Sequence, residues 1–225
     1  MQYLKNYLNK IIARGNKKLA ESISKTAEDI GKNYISTFSF TSHEIGLLFG
    51  NVQSGKTGQM FGILCKAADL GFPAFLILTT DNVVLQEQTL DRVKADLDGF
   101  CICGEDDSGI FIENSLIQPA VVILKKNSRV LRKWANIFNT TGFMKGNPLF
   151  IIDDEADAIF LRMDSIWKSW LYFAYARNSN CSQYVFYCCC QCCTRYRKSS
   201  QWYCNSICKQ FPCSTESTGC KDICS

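Results

Sequence analysis

The chain has one histidine, His43, among its 225 residues, and only three of its fourteen cysteines, Cys65, Cys101 and Cys103, fall before residue 180. A single imidazole cannot build a His-based metal centre, and His43 reads as an ordinary loop residue. No stretch reaches the roughly 18 consecutive apolar residues of a membrane span. The first ten residues, Met1 to Lys10, lack the apolar core of a secretory signal. A cytoplasmic setting with no membrane partner is therefore expected. Also missing are a D…ExK-like nuclease constellation, the N/T-K-x-D pattern that reads a guanine base, and the arginine-rich lid of small-molecule kinases.

What is present is unevenly distributed. The chain is 47% hydrophobic and 20% charged, a globular composition. Its net charge of +4 hides two halves. Residues 1–165 carry 18 Lys and Arg against 19 Asp and Glu, whereas residues 166–225 carry 7 against 2. The remaining eleven cysteines all lie in 181–225.

The run from Gly50 to Thr57, GNVQSGKT, fits G-x-x-x-x-G-K-[ST]. The spacing has a chemical reason: Gly50 and Gly55 permit a tight turn whose backbone N–H groups, with those of Gln53 and Ser54, converge on phosphate oxygens. Lys56 reaches the β- and γ-phosphates and the Thr57 hydroxyl can ligate Mg²⁺. The pattern needs a strand before it and a helix after it. Ile45 to Phe49 reads as a short buried strand, and Thr57 to Ala68 as a helix with Met60, Ile63, Leu64 and Ala67 on one side. ATP and Mg²⁺ are the expected cofactors.

Around this loop the chain alternates strand and helix signals. Residues 1–33 show helical spacing of Tyr3, Leu4, Tyr7, Leu8, Ile11 and Ile12, with a second helix expected over Leu19 to Ile30; both are expected to pack on the core. Further strands are expected at Phe72 to Thr80, Pro119 to Leu124 and Leu149 to Ile152. Helices are expected at Asn82 to Leu97, with an apolar face of Val83, Leu85, Leu90 and Val93, and at Ser128 to Phe138. Acidic residues mark a turn at Gly104 to Gly109, and Gly142 to Pro148 is expected to be a loop. Buried apolar strands alternating with helices predict an α/β fold, a mainly parallel sheet between helical layers. The loops that carry chemistry would then gather at the carboxyl ends of the strands.

About a hundred residues after the phosphate loop, Leu149-Phe-Ile-Ile leads into Asp153-Asp154-Glu155-Ala156-Asp157. An acid at a strand end can hold Mg²⁺, and a neighbouring carboxylate can orient or deprotonate the attacking water. Asp154 is the candidate metal partner and Glu155 the candidate base, with Lys56 the other catalytic candidate. Asp153, one register earlier, could share the metal. Asp154 to Asp157 spells the DEAD signature of nucleic-acid-dependent helicases.

The segments GNVQSGKT (50–57), KAADLGFPAFLIL (66–78), NVVLQEQTLDRV (82–93), VVILKKN (121–127) and FIIDDEAD (150–157) together resemble the Z-one domain. That family is a bacterial module regarded as a candidate endonuclease and built on a helicase-like ATPase core. The resemblance covers about residues 45–160. It implies a RecA-like P-loop three-layer sandwich over residues 36–165, preceded by the helical segment 1–35. It also implies a nucleic-acid partner, DNA by the endonuclease label, touched through Asn82, Gln88, Thr89 and Arg92. Those four can equally be solvated helix positions. Lys125 and Lys126, at a strand end, are either phosphate contacts or a surface pair.

The resemblance also defines what departs from the family. After Arg162 there is no strand ending in a Thr-Gly-Thr-Pro-like turn, and no second RecA-like lobe with its arginine. An arginine finger contributes roughly 10³–10⁵ in turnover in related hydrolases. The expectation is a truncated lobe that binds ATP and hydrolyses it weakly. Residues 166–225, with Cys188-Cys-Cys-Gln-Cys-Cys193, are expected to be an irregular Cys-rich tail, read out of frame or disordered. The C-x₃-C pairs Cys204/Cys208 and Cys220/Cys224 leave a metal-binding module as an alternative. A small-molecule kinase or other NTPase is the alternative reading of the loop itself.

Overall fold

Strands that are apolar on both sides have no face to leave in water, so they must be covered twice. The computed structural model describes residues 2–38, 43–49, 55–141, 147–154 and 183–189, with only the backbone described for 43–49 and 183–189. All of them belong to one unit, Met1–Cys190. The order is α1 (Tyr3–Ala13), α2 (Lys17–Ile30, continued by a π-type turn at Gly31–Ile35), β1 (His43–Phe49), α3 (Lys56–Asp69), β2 (Ala74–Thr79) and α4 (Val83–Asp96). Then follow β3 (Cys101–Cys103), α5 (Ser108–Asn114), β4 (Ala120–Lys125), α6 (Ser128–Thr140), β5 (Leu149–Asp153) and β6 (Gln183–Cys189).

The six strands form one sheet in the order β1-β6-β5-β2-β4-β3, and every pairing is parallel. Period-2 alternation splits the apolar side chains into two cores. Phe75, Ile77, Val121, Ile123, Phe150 and Ile152 pack with residues of α1, α2, α3 and α4. Leu76, Leu78, Val122, Leu124, Leu149 and Ile151 pack with Phe111 of α5 and Leu131, Trp134 and Phe138 of α6. The expected α/β architecture with a parallel sheet and helices on both sides is what the structure has, and it is compatible with a three-layer sandwich.

Several local expectations need correction. His43 opens strand β1 rather than lying in a loop. Between α4 and β4 the sequence predicts only an acidic turn; the structure adds the edge strand β3 and the short helix α5. Both are too short to impose a periodicity. The segment 166–225, expected to be irregular, contributes β6, which pairs with β1 on one side and β5 on the other. A strand therefore does follow the acidic motif, where none is expected, and it ends in Cys188 and Cys189. The proposed zinc pairs and the rest of that segment lie outside the described residues, as does most of the expected loop Gly142 to Pro148.

The helices α1 and α2 pack on α3, the helix that begins at Lys56. The Asp69 carboxylate at the end of α3 accepts from the backbone N–H groups of Tyr3 (2.8 Å) and Leu4 (3.1 Å), satisfying two of the orphan donors at the start of α1. The ion pair Lys66–Glu28 (2.6 Å) ties α3 to α2 at the surface, and Lys10–Asp98 (2.7 Å) ties α1 to the segment after α4. Close approach of α2 depends on Gly62, where a Cβ would stand 2.3 Å from Ile23 Cγ2, and on Gly58, where it would stand 3.1 Å from Ile23 Cδ1. Ile23 is fully buried and cannot step aside. Gly62→Ala is accordingly expected to destabilise the chain by about 1–3 kcal/mol through overpacking. Adding Ile23→Ala should remove the clash, so the two losses measured by urea unfolding will sum to more than that of the double variant.

Candidate functional site

Because all six strands run the same way, the segments after β1, β2, β4 and β5 emerge at one edge of the sheet. After β1, Gly55 adopts φ +75°, a left-handed conformation that disfavours any side chain, and Lys56 and Thr57 form the first turn of α3. The amino end of this helix carries unsatisfied N–H groups and the positive end of its dipole, which favours an anion. Gly50, Gln53 and Ser54 lie outside the described residues, as does Glu155. β6 stands between β1 and β5. Two ladder spacings, about 10 Å, therefore separate the strand leading to the phosphate loop from the strand leading to Asp154.

At the end of β5 the two adjacent aspartates part company. Asp153 is buried, its side chain 3% exposed, and Lys126 Nζ stands 2.5 Å from its Oδ1. The Lys126 side chain has no exposure at all. Asp154 is half-buried; its N–H donates to Leu78 O (2.9 Å) and its carbonyl accepts from Lys126 Nζ (2.6 Å). Along β5, Leu149 and Ile151 belong to the α5/α6 side and Phe150 and Ile152 to the α3 side. Continuing the alternation assigns Asp153, the last residue of β5, to the first; Asp154 lies past the strand, in a turn. With its carboxylate buried against Lys126, Asp153 is a poor candidate for sharing a metal.

The two lysines at the end of β4 are not a surface pair. Lys126 is spent on Asp153 and Asp154. Lys125 Nζ stands 3.5 Å from Glu105 Oε2, while its backbone N–H donates to Glu105 Oε1 (3.0 Å). Glu105 is in turn fixed through its carbonyl, which accepts from Lys133 Nζ (2.9 Å) and Trp134 Nε1 (3.0 Å). Sequence inspection missed the Lys126–Asp153 pair, since nothing in a strand-end lysine announces that it will reach across a neighbouring strand. Thr80, just past β2 on the same edge, buries an Oγ1 that has no hydrogen-bond partner among the described residues.

The helix α4 sorts the four nucleic-acid candidates. Asn82 is the N-cap, its side chain accepting from Val84 N (2.9 Å), so its first duty is to the helix. Gln88 and Arg92 are exposed, and Thr89, half-buried, donates through Oγ1 to Leu85 O (2.8 Å). The buried face runs through Gln86, Leu90 and Val93, with Gln86 Nε2 donating to Ile123 O (3.4 Å). Val83 and Leu85, expected on the apolar face, are instead exposed. In the first turn of α4 it is Gln86, not Val83 or Leu85, that faces the sheet.

Among the described residues no cluster of three or more His, Cys, Asp or Glu is placed to hold a metal ion. A Mg²⁺ held by one or two carboxylates and phosphate oxygens needs no such cluster, and the hydroxyl and carboxylate oxygens of Thr57 and Asp154 are the donor type it takes. Among the cysteines whose side chains are described, Cys65, Cys101 and Cys103, none offers a nucleophile: all three are buried, and burial pushes each thiol above its ordinary 9.0. Among the described residues no helix is long and apolar enough to cross a membrane. No family model matches the chain, and no curated protein matches it.

Removing one partner of a buried ion pair leaves the other charge uncompensated, at a cost of about 3–5 kcal/mol. Lys126→Met should show that loss in chemical denaturation. Lys126→Met with Asp153→Asn should recover most of it, because neither charge is then left buried.

Proposed function

We propose that this chain is the ATP-binding first lobe of a helicase-like ATPase. Gly50, Gln53, Ser54 and Gly55 would cradle the phosphates, Lys56 would neutralise the β- and γ-oxygens, and Thr57 and Asp154 would hold Mg²⁺, which supplies charge neutralisation of the phosphates. Glu155 is proposed as the base that activates water. The observation that carries the reading is the shared edge. A left-handed Gly55 and the amino end of α3 follow β1, and a half-buried Asp154 follows β5. Lys126 removes the competing Asp153 from that set.

The nucleic-acid role follows the same logic at lower resolution. Gln88 and Arg92 lie four apart on the exposed side of α4, which starts from the same edge, and such a face can meet a phosphate backbone without competing for core contacts. The likeness of residues 45–160 to the Z-one domain adds DNA as the substrate class and an endonuclease context for the whole protein. It also adds a second RecA-like lobe as the source of the catalytic arginine, so that this lobe alone would bind ATP and turn it over slowly.

Lys56→Ala tests the assignment. It should weaken ATP binding about tenfold or more, equivalent to roughly 1.4 kcal/mol or above, with the thermal unfolding midpoint of the free chain unchanged. Equal affinity for ATP in the two proteins would refute it.

A further inference from the structure

We propose that Lys126 is a positioning residue that fixes the backbone from which Asp154 presents its carboxylate, and that Asp153 is the anchor of this device, not a ligand. The inference rests on the nucleotide-site reading above. Strands β4 and β5 are not neighbours; each pairs with β2, one on either side, so about 10 Å separates them. Lys126 closes that distance. Its backbone N–H donates to Thr79 O (3.0 Å), extending the β4–β2 ladder past its last paired residues. Its side chain then crosses the end of β2 and places Nζ against Asp153 Oδ1 (2.5 Å) and Asp154 O (2.6 Å). The flexible four-carbon stem and compact multi-donor head of lysine suit this reach.

The consequence for Asp154 is restraint from two directions. Its N–H is held by Leu78 O and its carbonyl by Lys126 Nζ, so both peptide groups of the residue are pinned. Asp153 meanwhile has its charge balanced inside the protein. Two adjacent carboxylates at one strand end would otherwise compete for one cation and repel each other. Lys126 divides their labour, and removing a group that holds a metal ligand in place typically changes metal affinity roughly 10–100-fold.

The test uses the full chain and a fluorescent ATP analogue, titrated in EDTA and then with Mg²⁺. The reference is Asp154→Asn, which should bind the analogue in EDTA and lose the Mg²⁺ response. Lys126→Met combined with Asp153→Asn, the charge-neutral pair that should keep the fold, is expected to raise the Mg²⁺ concentration for half-effect by roughly 10–100-fold. Its affinity in EDTA reports on the intact nucleotide pocket. A Mg²⁺ requirement equal to that of the parent chain would overturn the inference while leaving the nucleotide site standing, since the parent would still respond to Mg²⁺ and Asp154→Asn would not. A parent chain that binds no analogue overturns both.

Discussion

Parallel strands cannot be joined by tight turns; each connection must travel back along a face of the sheet before the next strand begins. Most of this molecule follows from that constraint. Helices α3 and α4 run back over one face and α5 and α6 over the other, which is why β2, β4 and β5 are apolar at nearly every position. It also means that each strand delivers its following segment to the same edge. The left-handed Gly55, the Thr79–Thr80 step, Lys126 and Asp154 are brought together by direction alone, before any of them makes a specific contact.

What the edge then needs is electrostatic order. Carboxylates and ammonium groups at the ends of buried strands are costly unless paired. Here Glu105 takes Lys125, and Asp153 takes Lys126. Asp154, just past β5, has its backbone N–H held by Leu78 O and its carbonyl by Lys126 Nζ. The N-terminal pair α1 and α2 supports the same arrangement from behind. Glycines at 58 and 62 let α2 approach α3 closely, so the helix that starts at Lys56 is clamped between the sheet and a second helical layer.

Much of this was legible in the sequence for a physical reason. Long apolar runs bounded by turn residues announce buried strands, and G-x-x-x-x-G-K-T announces a strand–loop–helix; β2, α3, β4, α6 and β5 lie within a few residues of their expected places. What was not legible depended on tertiary contact. The three-residue β3 and seven-residue α5 carry too few positions to show a period. Asn82 looks like a phosphate ligand until its cap bonds are seen, and Val83 and Leu85 look like core until Gln86 is found facing the sheet in their place. The strand Gln183–Cys189 was hidden by composition: its cysteines read as aberrant, yet its backbone fits between β1 and β5.

The central claim is that the carboxyl edge binds a nucleotide between the start of α3 and the end of β5. Backbone hydrogen exchange with and without Mg-ATP tests it most directly. Slower exchange in peptides covering residues 50–60 and 150–156, with residues 101–114 at the far edge of the sheet unchanged, is the expected result. Unaltered exchange at both segments under saturating Mg-ATP, or protection confined to the β3–α5 region, would contradict it.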